Sequence, residues 1–194
     1  MTVQEFLEKF SAESQRIVND IFEYIDYTKQ KTRGYKSMRE EHIPIRAYIL
    51  RKAIPKKAIL NLGGESHDFD AKIIWNDETE RYEEILEVIQ ALPEKEYVIR
   101  HALVDGIKTL EEYNISIKQI ESFPQSIIDA INKKHKKIYA DKRILLVSVA
   151  GEYTYEDDKL INQWIPIIRK KTILGNFLEI FLVETARYKI FKIH

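Results

Sequence analysis

The stretch Ala58–Leu92, AILNLGGESHDFDAKIIWNDETERYEEILEVIQAL, decides how the rest of the chain is read. An apolar run, Ala58-Ile59-Leu60-Asn61-Leu62, stops at Gly63-Gly64. Beyond a polar break the sequence alternates. Phe69, Ala71, Ile73 and Trp75 fall on one face, and Asp70, Lys72 and Ile74 on the other, which is the period of a strand. Asn76-Asp77-Glu78-Thr79 has the composition of a turn. The segment from Glu80 to Leu92 fits two periods. As a helix it shows an apolar stripe of Ile85, Val88, Ile89 and Leu92 opposite a polar face of Glu80, Glu83, Glu84, Glu87 and Gln90. Asp77 would cap that helix and Pro93 would end it. As a strand it completes a three-stranded unit and sets Glu87 beside Asp70. The hairpin composition before it, and the second helix expected directly after Pro93, favour the strand.

The strand reading carries chemistry. Two carboxylates in a half-buried sheet repel each other and lose hydration, so they need a cation. Oxygen donors arranged in this way are those of a divalent-metal site. Asp is uncommon inside strands, which favours a role for Asp70 over a merely solvated one. Glu65 and Asp68 flank the Gly63-Gly64 loop; they either join the metal shell or form the turn, and the turn is the simpler reading.

Outward from this stretch, Val3 to about Gln30 spaces its apolar residues as a helix, with a weak point at Ser11–Ser14. Thr32–Tyr35 reads as a loop, and Tyr48–Ala53 as a short helix or strand ended by Pro55. A helix is expected over Glu94–Gly106, then a connection over Leu110–Ser116. A second helix, over Ile117–Ala140, is interrupted at Phe123-Pro124. Arg143–Gly151 is a nearly continuous β-rich run, as in a central strand buried on both faces. Acidic Tyr155–Asp158 opens a helix that extends to about Thr172. Phe177–Glu184 and Tyr188–Ile193 are two closing strands around a turn at Ala186-Arg187. The expectation is a single α/β (α+β) domain over 1–194. It has an N-terminal helical segment to about residue 54 and then a mixed central sheet flanked by helices in three layers.

Composition narrows the function. The 31 basic and 31 acidic residues among 194 cancel, so there is no overall charge to draw the chain to nucleic acid or an anionic membrane. Any such binding needs a local patch. The chain has no cysteine, which excludes disulfides, thiolate catalysis and Cys-ligated zinc, and fits a reducing compartment. Met1-Thr2-Val3-Gln4-Glu5 is not the start of a signal peptide, and no apolar run is long enough to span a membrane. A soluble cytoplasmic protein is expected. The five histidines form no paired ligand motif, and neither a phosphate-binding Gly-rich loop nor a nucleophile elbow is present.

With Asp70 in Phe69-Asp70-Ala71-Lys72-Ile73, Glu87 in Leu86-Glu87-Val88-Ile89-Gln90, and helices before and after, the chain resembles the PD-(D/E)xK nuclease-like superfamily, the restriction-endonuclease-like fold. The likeness covers roughly Val3 to Gly106. It implies a magnesium or manganese ion held by Asp70 and Glu87, to which Glu65 is a further candidate ligand by its place in the loop. It also implies hydrolysis of phosphodiester bonds in nucleic acid and the dimeric state common in nucleases of this size. Where that pattern has a Lys two residues after the Glu, this chain has Ile89. Lys72, on the same strand face as Asp70, or Gln90, if the strand carries a bulge, are the residues left to orient the attacking water.

The basic run Lys133-Lys134-His135-Lys136-Lys137 is the best local candidate for phosphate contacts, through Lys133, Lys134, Lys136 and Lys137. The plainer alternative is a cationic final turn of a helix. The second function class is a catalytically inactive relative of the same fold, or an α/β interaction module that binds protein or nucleic acid. The missing Lys and the neutral charge favour it.

Overall fold

A six-stranded mixed sheet runs through the middle of the molecule, in a computed structural model that describes residues 1–28, 32–64, 67–92, 117–149 and 158–194. Its strands lie side by side in chain order: β1 (Ile59–Leu62), β2 (Ala71–Asn76), β3 (Arg81–Ala91), β4 (Arg143–Val149), β5 (Phe177–Glu184) and β6 (Lys189–Lys192). β1, β2 and β3 form an antiparallel meander; β3, β4 and β5 run parallel; β6 returns antiparallel on the far edge. The Glu80–Leu92 ambiguity therefore resolves to a strand. β3 is an interior strand, and packing on both sides of the sheet covers both faces of its Leu86–Ala91 half. Val88 packs into one core and Ile89 into the other. Burial on both faces is why its apolar residues mimic a helical stripe.

The first face carries α1 (Val3–Asn19), α2 (Ile21–Thr28), α3 (Arg33–Ser37), a π-helical turn (Met38–His42) and α4 (Ile43–Arg51). Leu60, Ala71, Ile73, Leu86, Ile144, Leu146 and Phe181 from the sheet meet Phe6, Phe10, Ile45, Tyr48 and Ile49 there. The second face carries α5 (Ile117–His135) and α6 (Asp158–Lys171). Leu145, Val147, Ile180 and Leu182 meet Phe123, Ile127, Ile131, Ile161, Trp164 and Ile168 on that side. This is the three-layer α/β arrangement expected from the element order. Among the described residues no helix is long and apolar enough to cross a membrane.

Several boundaries differ from the sequence reading. The N-terminal helix runs unbroken through Ser11–Ser14. A reciprocal cap starts it: the Glu5 amide donates to Thr2 Oγ1 at 3.2 Å and the Thr2 amide to Glu5 Oε2 at 2.7 Å. The break falls at Asp20, whose Oδ1 accepts from the amide of Phe22 at 2.8 Å and starts α2. Past Ile17 the apolar stripe leaves the core, and Val18 and Phe22 are exposed. Thr32–Tyr35 is no loop, because Thr32 Oγ1 caps α3 through the Tyr35 amide. Tyr48–Ala53 closes α4, where Ala53 takes a left-handed φ of 51°. α5 passes through Pro124 without interruption. The stripe Phe123, Ile127, Ile131 holds it to the sheet, and this outweighs the one backbone bond that a proline removes. It ends at His135, short of the expected Ala140. The helix expected over Glu94–Gly106, the connection after it, and the residues Ala150, Gly151 and Tyr155–Asp157 lie outside the described residues.

Candidate functional site

Strand register builds the site. Ala71 pairs with Leu86, so the next step outward sets Asp70 across from Glu87. Asp70 is held by backbone on both sides. Its amide donates to the Leu86 carbonyl at 3.1 Å, and its carbonyl accepts from the Gly63 amide at 2.8 Å. Its carboxylate Oδ2 accepts from the Val88 amide at 2.6 Å. Gly63 is required here, since a Cβ at that position would lie 1.8 Å from the Phe69 carbonyl oxygen.

Glu87 is 4% exposed and sits in a nest of cations. Lys134 Nζ contacts Oε1, Lys137 Nζ lies 3.9 Å from the same oxygen, and Arg143 Nη1 lies 3.2 Å from Oε2. Lys134 lies in the last turn of α5, and Lys137 lies two residues past its end. The stripe Phe123, Ile127, Ile131 points at the sheet, and continuing its period brings Lys134 inward. Arg143, itself 1% exposed, opens β4 on the face shared by Leu145 and Val147. Its guanidinium lies 4.2 Å over the Tyr139 ring and donates to both the carbonyl and the carboxylate of Asp68. Its Nε has no partner among the described residues.

The carboxylates respond to these surroundings. Burial raises the Asp70 pKa above the usual carboxylate range, and the Glu87 charge adds to this. The Val88 amide and the charges of Lys134 and Lys137 oppose it. Glu41, on the π-helical turn, is raised by burial and then by the charge of Asp70. Asp68 is lowered by its hydrogen bond to Arg143. Burial raises the Tyr139 phenol as well, with the Glu87 charge acting in the same sense.

Asp68, Asp70, Glu87, Glu41 and Lys137 line a cleft of about 500 Å³ between the β1–β2 loop, the α3–π-helical segment and the chain just past α5. Asp70, Glu87 and Glu41 are on its floor; Arg33, Lys36 and Lys137 are at its edge. Two groups here, Arg143 and Glu41, went unrecognised in the sequence, and Lys134 was singled out there for phosphate contacts but not as the partner of Glu87. Arg143 was legible as the first residue of the face that carries Leu145 and Val147. Lys134 was legible from the helix period. Glu41 had no local signal, because it reaches the cleft only through the packing of the π-helical turn against β3.

The remaining sequence candidates fall elsewhere. Lys72 shares the face of Asp70 but forms an ion pair with Glu83, farther along β2 and β3. The β3–β4 register is uninterrupted from Leu86 to Ala91, so no bulge turns Gln90, which faces away from Glu87. Ile89 packs into the core beneath α5 and α6. Lys133 and Lys136 are exposed, unlike Lys134, so the basic run divides between solvent and Glu87. Glu65 lies outside the described residues.

Asp70 and Glu87 are hard oxygen donors, which suits magnesium, an ion that commonly takes one or two carboxylates and completes its shell with water. Among the described residues no group of three or more His, Cys, Asp or Glu converges as a ready metal cage. A divalent ion at Glu87 would have to share or displace the contact with Lys134. No protein-family model, curated protein or solved structure matches the chain.

Proposed function

We propose that the protein hydrolyses phosphodiester bonds in nucleic acid, with Asp70 and Glu87 holding a magnesium or manganese ion. One observation carries the reading: two carboxylates from adjacent antiparallel strands face each other at an open cleft, and a lysine lies against one of them. Lys134 makes up for the Ile89 that stands two residues after Glu87. Its ammonium lies against Glu87 Oε1, where it can orient a water or neutralise the charge that develops on a phosphate. A bound ion would supply an acidified water and polarise the phosphoryl oxygen. The chain's own residues do the rest. The Val88 amide fixes Asp70, Arg143 fixes Glu87, and the cleft admits the diester. The cysteine-free composition supports a cytoplasmic setting.

The inactive-relative reading has one observation in its favour: both Glu87 oxygens already have protein cations beside them. Manganese binding by calorimetry, paired with cleavage of single- and double-stranded oligonucleotides, separates the two. The hydrolytic reading requires binding and cleavage in the wild type, with both lost in Asp70→Asn and in Glu87→Gln. A wild type that binds no manganese and cleaves nothing would favour the inactive relative.

A further inference from the structure

We propose that the cleft edge forms phosphate subsites on either side of the acidic floor, with Arg33 and Lys36 on one wall and Lys137 on the other. The ligand is then a polynucleotide with phosphates flanking the central one, rather than an isolated diester or mononucleotide. The proposal rests on the phosphodiesterase reading for what happens at the floor, but its own basis is the separation of charge across the cleft. The acids are sequestered: the Glu87 side chain is 5% exposed, and Asp70 and Glu41 are half-buried. The edge cations stay accessible: Lys36 is 62% exposed with its Nζ 4.0 Å from Glu40 Oε2, and Lys137 is 51% exposed with its Nζ 3.9 Å from Glu87 Oε1.

Arg33 and Lys36 are three apart on α3, so they project side by side. The π-helical turn that follows directly carries Glu41 on to the floor. A single phosphate at the floor would come within reach of Lys137 beside Glu87 but would leave the α3 wall without a ligand charge. A strand that crosses the cleft gives each wall its own phosphate and releases counterions from exposed lysine and arginine. The wall on α3 also explains how a chain of zero net charge holds a polyanion, since only the cleft edge needs to be positive.

The test is the salt dependence of binding of a fluorescent single-stranded oligonucleotide to the full chain, with divalent metal chelated so that nothing is cut. Arg33→Gln/Lys36→Gln removes two exposed charges and should flatten the slope of log K against log salt by about 1.4, given about 0.7 per phosphate contact on a single strand. Lys133→Gln/Lys136→Gln, in side chains that do not line the cleft, should leave the slope unchanged. A mononucleotide at equal phosphate concentration should compete poorly. An unchanged slope in the Arg33/Lys36 variant, equal flattening in the Lys133/Lys136 variant, or full competition by the mononucleotide would each overturn the proposal. If the slope falls as expected but magnesium then brings no cleavage, the subsites stand and the hydrolytic reading fails.

Discussion

Arg143 and Glu87 make the most decisive stability prediction. Their side chains are 1% and 5% exposed, with Nη1 and Oε2 3.2 Å apart. Removing one partner of a buried ion pair leaves an uncompensated charge and costs about 3–5 kcal/mol, whereas replacing both with apolar groups of similar size is often neutral or better. Neither single substitution is fully uncompensated here. Arg143→Met leaves Glu87 with Lys134, and Glu87→Met leaves Arg143 with the exposed Asp68. The low end therefore applies, about 3 kcal/mol for each single variant. In a chain of this size that lowers Tm by roughly 6–12 °C. The double variant removes both charges, and Lys134, 23% exposed, can turn to solvent. Its loss should be no more than that of either single variant, about 3 kcal/mol or less, not the sum of about 6, which is a coupling of at least about 3 kcal/mol. Urea midpoints at unchanged m-value measure this directly. If the double variant loses the sum of the singles to within about 0.5 kcal/mol, the two groups do not compensate each other and the account of Glu87 is wrong.

Two further outcomes follow from single residues. Burial depresses the His42 pKa below its ordinary value, so the folded chain keeps the imidazole neutral where the unfolded chain binds a proton. His42 thus has no effect above about pH 6.5 and erodes stability as pH falls from there toward its lowered folded value. In urea titrations across pH 7 to 5, His42→Gln should show a shallower acid loss than wild type, and parallel curves would refute this. Gly63→Ala drives a methyl into the Phe69 carbonyl oxygen, which cannot retreat without moving Asp70. We expect a destabilisation of about 1–3 kcal/mol. Wild-type stability in that variant would mean that the loop yields freely.

How far the fold was legible depended on whether a local pattern and its tertiary setting agreed. Phe69–Trp75 alternates because one face of β2 packs on the helices and the other carries Asp70 and Lys72, so period alone sufficed. Glu80–Leu92 was ambiguous because β3 packs into a core on each face, and double burial erases alternation. The proline in α5 looked like a break because propensity is local, while the Phe123–Ile131 stripe acts through the sheet. The exposed Val18 and Phe22 show the opposite failure: a correct helical period continued beyond the part of α1 that has anything to pack against.

The site divides along the same line. The facing of Asp70 and Glu87 follows from alternation and one antiparallel register, and both are visible in sequence. The requirement that buried carboxylates have a cation was also sound chemistry, but it did not identify the cation. The structure places Lys134, Arg143 and, farther off, Lys137 around Glu87, so part of the demand is met within the fold. That weakens any deduction of a metal from charge balance alone and moves the weight to Asp70. Its carboxylate has one oxygen bonded to the Val88 amide, sits half-buried at the open cleft, and has its pKa raised first by burial and then by Glu87. The two carboxylates are thus unequal. Glu87 is neutralised before any ligand arrives, whereas Asp70 is short of positive charge. An ion entering the cleft would gain most at Asp70 and would reach Glu87 by loosening Lys134, which then becomes free to act on water or phosphate.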